Sequence, residues 1–429
     1  MGIDLSSVTP FEICSIRPPT ENQSLTFRLT RNCYWNRCGF CPAYKFGARF
    51  SKRTLEEVKE DIRRAKLIDD LLLEESITSA PYSYAGHSRV AELVQRIKGA
   101  DPDAGQKEET DNEEVRKDLD PRLAWFLSWF KDKPTLEDSL THILSWRMGG
   151  GDTCFMGDAD SLILKPDFMT ETIDQIKLNF PSIQRFTVYG RTSTAARIRK
   201  LEELKAYCEA GLDRVHFGLE SGSDTVLKFV HKGVTRDEHI DGVLKANEAG
   251  LSCSVYVMPG LGGQRWSEEH ASETADVLTR CSPDYVRLRS LQVFPQTPLD
   301  EALRSEAFIE ASEEQVVREI RIMVEEINTA TAIVSDSASN LLNINGRLPD
   351  DRGAMLEEID QYLALSERDK LLFSLESRLR SFVGQYGGLS EDISRALDPY
   401  MEGDRLDFSA ISDKEIGVII GLVRAKLMP

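Results

Sequence analysis

Arg214-Val-His-Phe-Gly-Leu-Glu220 alternates without a break: Val215, Phe217 and Leu219 fall on one side of an extended chain, and His216, Gly218 and Glu220 on the other. Such a strand buries its apolar side under helices and turns the other toward a space that admits polar groups. The same division recurs along the chain. Thr187, Tyr189 and Arg191 oppose Phe186 and Val188, Ser252, Ser254 and Tyr256 oppose Cys253, Val255 and Val257, and Tyr285, Arg287 and Arg289 oppose Val286 and Leu288. Charged groups buried under helices without partners are costly, so a polar interior that holds ligands is the simpler account.

Working outward, six strands are expected, at Leu25 to Asn32, Thr153 to Gly157, Arg185 to Tyr189, Arg214 to Glu220, Ser252 to Met258 and Asp284 to Val293. Helical stretches lie between them. Thr54-Leu-Glu-Glu57 and Thr235-Arg-Asp-Glu238 read as capping boxes, and Gly211 and Gly250 stand where a helix stops. Strand and helix in alternation give an α/β class, and six units favour a partial (β/α)6 TIM-type barrel over an open sheet. Three parts are expected: an N-terminal extension (1–22), a barrel (23–299) with an insertion at about 99–147, and a helical C-terminal region (300–429). Within the insertion, the acidic run Gly99 to Glu114 reads as a mobile loop, and Ala124-Trp-Phe-Leu-Ser-Trp-Phe130 as an aromatic packing helix or a lid.

The 429 residues carry a formal net charge of -18, with 41% hydrophobic and 29% charged residues. That balance fits a soluble protein acting on a small molecule and disfavours nucleic acid and anionic lipid as partners. The first residues have no basic start followed by an apolar run, and no stretch approaches the roughly 18 apolar residues of a membrane span. A cytoplasmic location is expected.

Of eight cysteines, three are crowded into Cys33-Tyr-Trp-Asn-Arg-Cys38-Gly-Phe-Cys41, directly after the first strand. Three thiolates at this C-x4-C-x2-C spacing suit a 4Fe-4S cube with one iron left open to a small molecule. Structural zinc normally takes four protein ligands, and no fourth Cys or His lies near the loop. Cys14, Cys154, Cys208, Cys253 and Cys281 are scattered and read as structural.

The chain here resembles the radical SAM superfamily, in which a three-cysteine motif follows the first strand of a partial (β/α) barrel and an aromatic residue, here Phe40, precedes the last cysteine. The usual spacing is C-x3-C-x2-C, so this loop has one extra residue. The resemblance runs through about Leu25 to Leu299. Gly211 to Asp224, with Lys232-Gly-Val-Thr235, is similar to the fourth strand and turn of the branch containing methylthiotransferases and coproporphyrinogen dehydrogenase-like proteins. Tyr256-Val-Met-Pro-Gly-Leu-Gly-Gly263 resembles that branch's glycine motif, and Phe294-Pro-Gln-Thr-Pro298 its closing segment. A further cysteine of the coproporphyrinogen-type loop is missing, since Ala43 stands there, so porphyrinogen oxidation does not carry over.

The resemblance implies an enzyme with two cofactors, a 4Fe-4S cluster on Cys33, Cys38 and Cys41 and S-adenosylmethionine. The cluster would cleave the latter to a 5'-deoxyadenosyl radical that takes hydrogen from a small substrate. It implies that Glu220 meets the ammonium of S-adenosylmethionine and Arg191 its carboxylate, with Phe40, Asp158, Tyr189, Ser221, Tyr256 and Gly260 as further contacts. Arg191 is alternatively a surface salt-bridge residue, and Asp158 a substrate contact or a helix cap. Asp160, His216, Arg287 and Arg289 are candidates for the substrate, and the two arginines are alternatively expected to pair with Asp158, Asp160 or Glu220. A flavodoxin or ferredoxin is the implied reductant, and the catalytic residue is left open. Two rival readings are a non-catalytic iron-sulfur or zinc scaffold that recruits a partner, and a barrel enzyme using Asp158, His216 and Arg289 in acid-base chemistry.

Overall fold

The computed structural model describes residues 3–14, 16–45, 49–77, 84–100, 118–130, 134–403, 405–407, 409 and 411–428. Two compact units emerge, one made of 1–36, 42–217 and 241–253, the other of 37–41, 218–240 and 254–429.

In the first unit β1 (Leu25–Arg28), β2 (Thr153–Gly157), β3 (Arg185–Gly190) and β4 (Leu212–Glu220, which enters the second unit at Gly218) lie side by side and parallel. Leu25 is opposite Cys154, Thr153 opposite Arg185, and Tyr189 opposite His216. Helices Leu55–Glu74, Pro166–Asn179 and Leu201–Ala210 connect or cover them. Each starts and stops for a local reason. Thr54 and Glu57 form the expected capping box, Pro166 opens its helix at the first turn, and Gly211 ends its helix at φ 112°, a conformation that costs glycine little. Phe27, Val188, Val215 and Phe217 of the apolar side are fully buried, and so are Phe155, Thr187 and His216 on the opposite face, so the interior of this unit is filled on both sides of the strands.

In the second unit β5 (Ser252–Val257) is joined from Ser254 onward to β6 (Tyr285–Leu288) in parallel, and β6 to β7 (Thr331–Val334). An antiparallel β8 (Gly346–Leu348) follows. Helices Ser267–Cys281, Glu313–Glu326 and Glu367–Tyr386 belong to this unit. A separate cluster of Leu375, Phe382, Ile393, Ile416 and Val423 forms the core of its last helices.

The class is α/β, of the partial (β/α) barrel type, with mostly parallel strands and helical connections. All six expected strands are present. The segment expected to be wholly helical after residue 300 also contains β7 and β8. Both are short, and pairing sets their conformation, β7 against β6 and β8 against β7. Of the acidic run, Gly99 and Ala100 end a helix (Tyr84–Ala100), while 101–114 lie outside the described residues. Phe126 and Leu127 of the aromatic segment are buried in a short helix, Pro121–Ser128.

Candidate functional site

The first arm of the cysteine loop belongs to the first unit. Asn32, four residues past the end of β1, has a left-handed backbone (φ 67°), and its side-chain oxygen accepts a 2.6 Å hydrogen bond from the Cys33 amide. Asp158, just beyond β2, is buried, and both of its oxygens are occupied. Oδ2 accepts from Arg28 Nε (3.2 Å), Arg28 Nη2 (3.0 Å) and the Asn32 amide (3.1 Å), and Oδ1 accepts from the Tyr44 hydroxyl (2.7 Å). Asp158 therefore caps no helix, and its salt bridge is with Arg28 rather than with Arg287 or Arg289. Tyr44 in turn is held protonated, by burial first and by the charge of Asp158 next.

Asp160, two residues on, fixes a different turn. Its Oδ1 accepts from the Arg191 amide (3.1 Å) and its Oδ2 from the Thr194 hydroxyl (2.5 Å), and burial pushes its carboxyl up to about 6. Thr194 meets the Tyr34 hydroxyl at 3.2 Å. The Arg191 guanidinium lies over Tyr34 and Trp35, 5.8 and 5.3 Å from the ring centroids. Arg191 thus packs on the two aromatics between the first two cysteines, a favourable seat for a cation. Tyr189 stands between Phe155 and His216.

His216 is fully buried with Glu21 Oε1 at 3.6 Å. Burial alone would raise the Glu21 carboxyl, but His216, Ser24 and Arg185 together hold it below the usual range. Glu21 precedes β1 and Arg185 opens β3, so this group sits toward the N-terminal ends of the strands. Barrel enzymes place their chemistry at the opposite ends.

The second arm belongs to the second unit. Cys38 and Cys41 bracket a turn closed by the Cys41 amide donating to the Cys38 carbonyl (3.4 Å). Gly39 anchors it, donating to Val230 O (2.7 Å) and accepting from the Leu299 amide (3.0 Å). Lys232 Nζ lies 5.7 Å from the Phe40 ring centroid and 2.9 Å from Glu220 Oε1. The carboxylate expected to meet an ammonium is therefore paired with one in this structure, that of Lys232. Gly218 leaves room for the pair, since a Cβ there would come within 3.0 Å of Lys232 Nζ.

Ser221 is wholly buried, with its hydroxyl 2.8 Å from His270 Nδ1. His270 Nε2 faces the Met258 carbonyl at 3.1 Å, which can only accept, so Nε2 carries the proton and Nδ1 accepts from Ser221. Burial pushes His270 down to about 4 and keeps the ring neutral. Beside it Glu319 accepts from the Gly260 amide and the Ser267 hydroxyl, both at 2.6 Å, and burial raises its carboxyl to about 7. Arg287 donates to Ser254 Oγ (3.0 Å) and pairs with Asp336, just past β7. Of the carboxylates expected for it, Asp158 and Glu220 have other cations. The strand missed in the sequence supplies its partner. Arg289 lies 5.0 Å over Tyr256.

Arg28, Tyr44, Lys232, Glu319 and Asp336 are site neighbours that sequence reasoning misses. Arg28 has a signal, since Thr26, Arg28 and Thr30 alternate with Leu25, Phe27 and Leu29. Glu319 and Asp336 have none, because their partners are distant in sequence.

The donor set fits a cluster on the loop. None of the eight cysteines forms a disulfide. Burial raises the thiols of Cys14, Cys154, Cys208 and Cys281, the last to about 12, which disfavours the thiolate a ligand needs, and Cys253 points its thiol at backbone carbonyls. Cys33 and Cys41 are partly exposed. Among the described residues no three Cys, His, Asp or Glu side chains are grouped as ligands of a single metal ion, whereas the ligands of a cluster bind different irons. No described helix is long and apolar enough to cross a membrane.

Residues 127–275 match the family described as the Radical SAM superfamily. Over 109 residues the chain is 29% identical to an uncharacterized methyltransferase of Pyrococcus horikoshii, covering 25% of this chain and 23% of the relative, so it spans under a quarter of that protein's length. Among solved structures it is similar to the archaeal Methanocaldococcus infernus Elp3 with an N-terminal deletion (16% identity, 51% of this chain and 57% of that one, TM-score 0.38). It is also similar to methylornithine synthase, PylB (12% identity, 78% and 68%, TM-score 0.38).

Proposed function

Because the chain carries a radical SAM domain, we propose that Cys33, Cys38 and Cys41 hold its 4Fe-4S cluster and that the enzyme acts by radical chemistry on a small molecule. The observation that carries the reading is the C-x4-C-x2-C loop after β1, none of its cysteines in a disulfide, upstream of the matched residues 127–275. Held by these three thiolates, a cluster would supply reductive cleavage of S-adenosylmethionine and, through it, hydrogen abstraction from the substrate.

The chain's own part is to bind and orient. Glu220 offers its carboxylate to the cofactor's ammonium, in competition with Lys232, and Arg191, seated on Tyr34 and Trp35, offers a guanidinium to its carboxylate. Phe40, Tyr189, Tyr256 and the Gly260 backbone are assigned to the remaining cofactor contacts. Ser221 and Asp158 act through their neighbours instead, one on His270 and the other on the Cys33 arm. Arg289 is the foremost candidate for an anionic substrate group. Asp160, His216 and Arg287 are retained only as indirect contributors, since each is engaged within the fold. Residues 23–299 carry these groups, with 1–22 before them and 300–429 after. The reductant is a flavodoxin or ferredoxin and the compartment the cytoplasm, where thiols stay reduced.

The test is anaerobic reconstitution with iron and sulfide, dithionite reduction, addition of S-adenosylmethionine and chromatography for 5'-deoxyadenosine. Wild type should yield the product and the Cys33/Cys38/Cys41 triple alanine variant none. Zinc bound in place of a cluster would favour the scaffold instead.

A further inference from the structure

We propose that Asp158 is a positioning residue for the cluster, fastening the backbone that presents Cys33; this rests on the reading of Cys33 as a cluster ligand. One carboxylate, 2% exposed, closes the loop from both sides within the first unit. Through Oδ2 it takes the amide of Asn32, the residue before Cys33, and through Oδ1 the hydroxyl of Tyr44, three residues after Cys41. Arg28, on β1, balances the charge from below with two donors to Oδ2, so the carboxylate is both neutralised and oriented. The Asp158 amide is itself tied to Thr30 Oγ1 at 3.3 Å, which locks the end of β2 to the segment leading into the loop.

A second layer of contacts works in the same direction. Asn32, held by Asp158, accepts from the Cys33 amide and donates through Nδ2 to the Tyr44 carbonyl at 3.4 Å. Asn36 Nδ2 donates to that same carbonyl, and Lys45 Nζ reaches the Asn36 carbonyl at 2.8 Å. Residues 32 to 36 and 44 to 45 are thereby clipped together. Asn32 has the left-handed backbone that asparagine adopts more readily than most residues, and the Asp158 bond to its amide secures the turn. A cluster ligand needs its sulfur held in place when the cluster is oxidised, reduced or challenged by a chelator. A buried carboxylate that fixes the preceding amide supplies that hold without touching iron.

The experiment compares wild type, Asp158→Asn and Tyr44→Phe, each reconstituted anaerobically. Three quantities are read: iron release to a chelator, the electron paramagnetic resonance spectrum of the reduced cluster, and the melting temperature of the metal-free protein. Asp158→Asn should release iron about tenfold faster than wild type, with shifted resonance lines, as losses behind a metal ligand typically do. Tyr44→Phe should accelerate release by a smaller factor while the metal-free melting temperature stays at the wild-type value, an outcome that a general stabilising role would not produce. If Asp158→Asn does not fold, Tyr44→Phe decides alone. A wild type that loads iron and sulfide, with folded variants matching its release rate and spectrum, overturns the positioning role and leaves the cluster reading intact. A wild type that takes up neither overturns both.

Discussion

Glu319 is the residue whose surroundings most clearly set a measurable property. Its carboxyl accepts two hydrogen bonds, from the Gly260 amide and from Ser267, yet burial outweighs them and raises it from 4.5 to about 7. A carboxyl with a raised folded value keeps its proton in the folded protein after the unfolded chain has lost it. Its contribution is complete below the unfolded value and is lost as pH rises through about 7. His270, 3.8 Å away, is pushed from 6.5 down to about 4, so its own contribution rises with pH over that interval, and it is common to the two proteins compared. Glu319→Gln keeps the shape of the protonated side chain and cannot ionise. Relative to wild type it should gain roughly 2 to 3 kcal/mol in stability from pH 5 to pH 8, read by urea denaturation. Parallel pH curves for the two proteins would refute this account. Glu319 also marks the limit of sequence reading at this scale. The three loop cysteines announce themselves by spacing, and Glu220 by the alternation of its strand. Glu319 sits 59 residues from the amide it holds, in a helix whose own pattern accounts for it fully.

At the scale of elements the sequence is more informative, because starts and stops are local chemistry. Thr54 with Glu57 and Thr235 with Glu238 make their reciprocal bonds, and Gly211 and Gly250 take the positive φ that lets a helix end. The six strands read from the sequence declare their alternation, whereas Thr331–Val334 and Gly346–Leu348 are set by the strand they pair with. Glycines separate these two kinds of determination. Gly222 follows the Glu220 strand, donates to Thr274 Oγ1 at 2.8 Å, and a Cβ on it would stand 2.6 Å from Thr274 Cα. Backbone cannot step aside as a side-chain tip can. Gly222→Ala should therefore cost about 1–3 kcal/mol and lower the melting temperature. Gly417 is exposed within the helix Asp413–Arg424, and a methyl group added to it would meet nothing within 4 Å. There alanine relieves only the backbone entropy cost, and Gly417→Ala should stabilise by about 0.5–1 kcal/mol. Equal effects at the two sites would mean that close approach at Gly222 is not the constraint.

At the scale of the molecule, residue 299 is where the alternating pattern ends in the sequence, but it is not where the interactions end. Past it, β7 pairs with β6, and Asp336 neutralises Arg287. Asn340 accepts from the Ser290 amide (2.8 Å) and donates to the Leu288 carbonyl (2.8 Å), and Glu319 holds Gly260. Arg378, from the helix Glu367–Tyr386, donates to the carbonyls of Ala338, Ser339 and Asn340 and pairs with Glu313 at 2.9 Å. These bonds all lie within the second unit, which runs from Ser254 to the end of the chain without a break. A fragment ending at 299 would leave β6 with an open edge, Arg287 buried without its counter-charge and the Gly260 turn without its acceptor. Stranding one member of a buried pair alone costs about 3–5 kcal/mol, a large share of what holds an ordinary domain together. The fragment 1–299 should therefore lack a cooperative thermal transition by circular dichroism and fail to retain iron after reconstitution, while the full chain shows both. A fragment that melts cooperatively and keeps its iron would instead make 299 a true domain boundary and 300–429 a dispensable appendage.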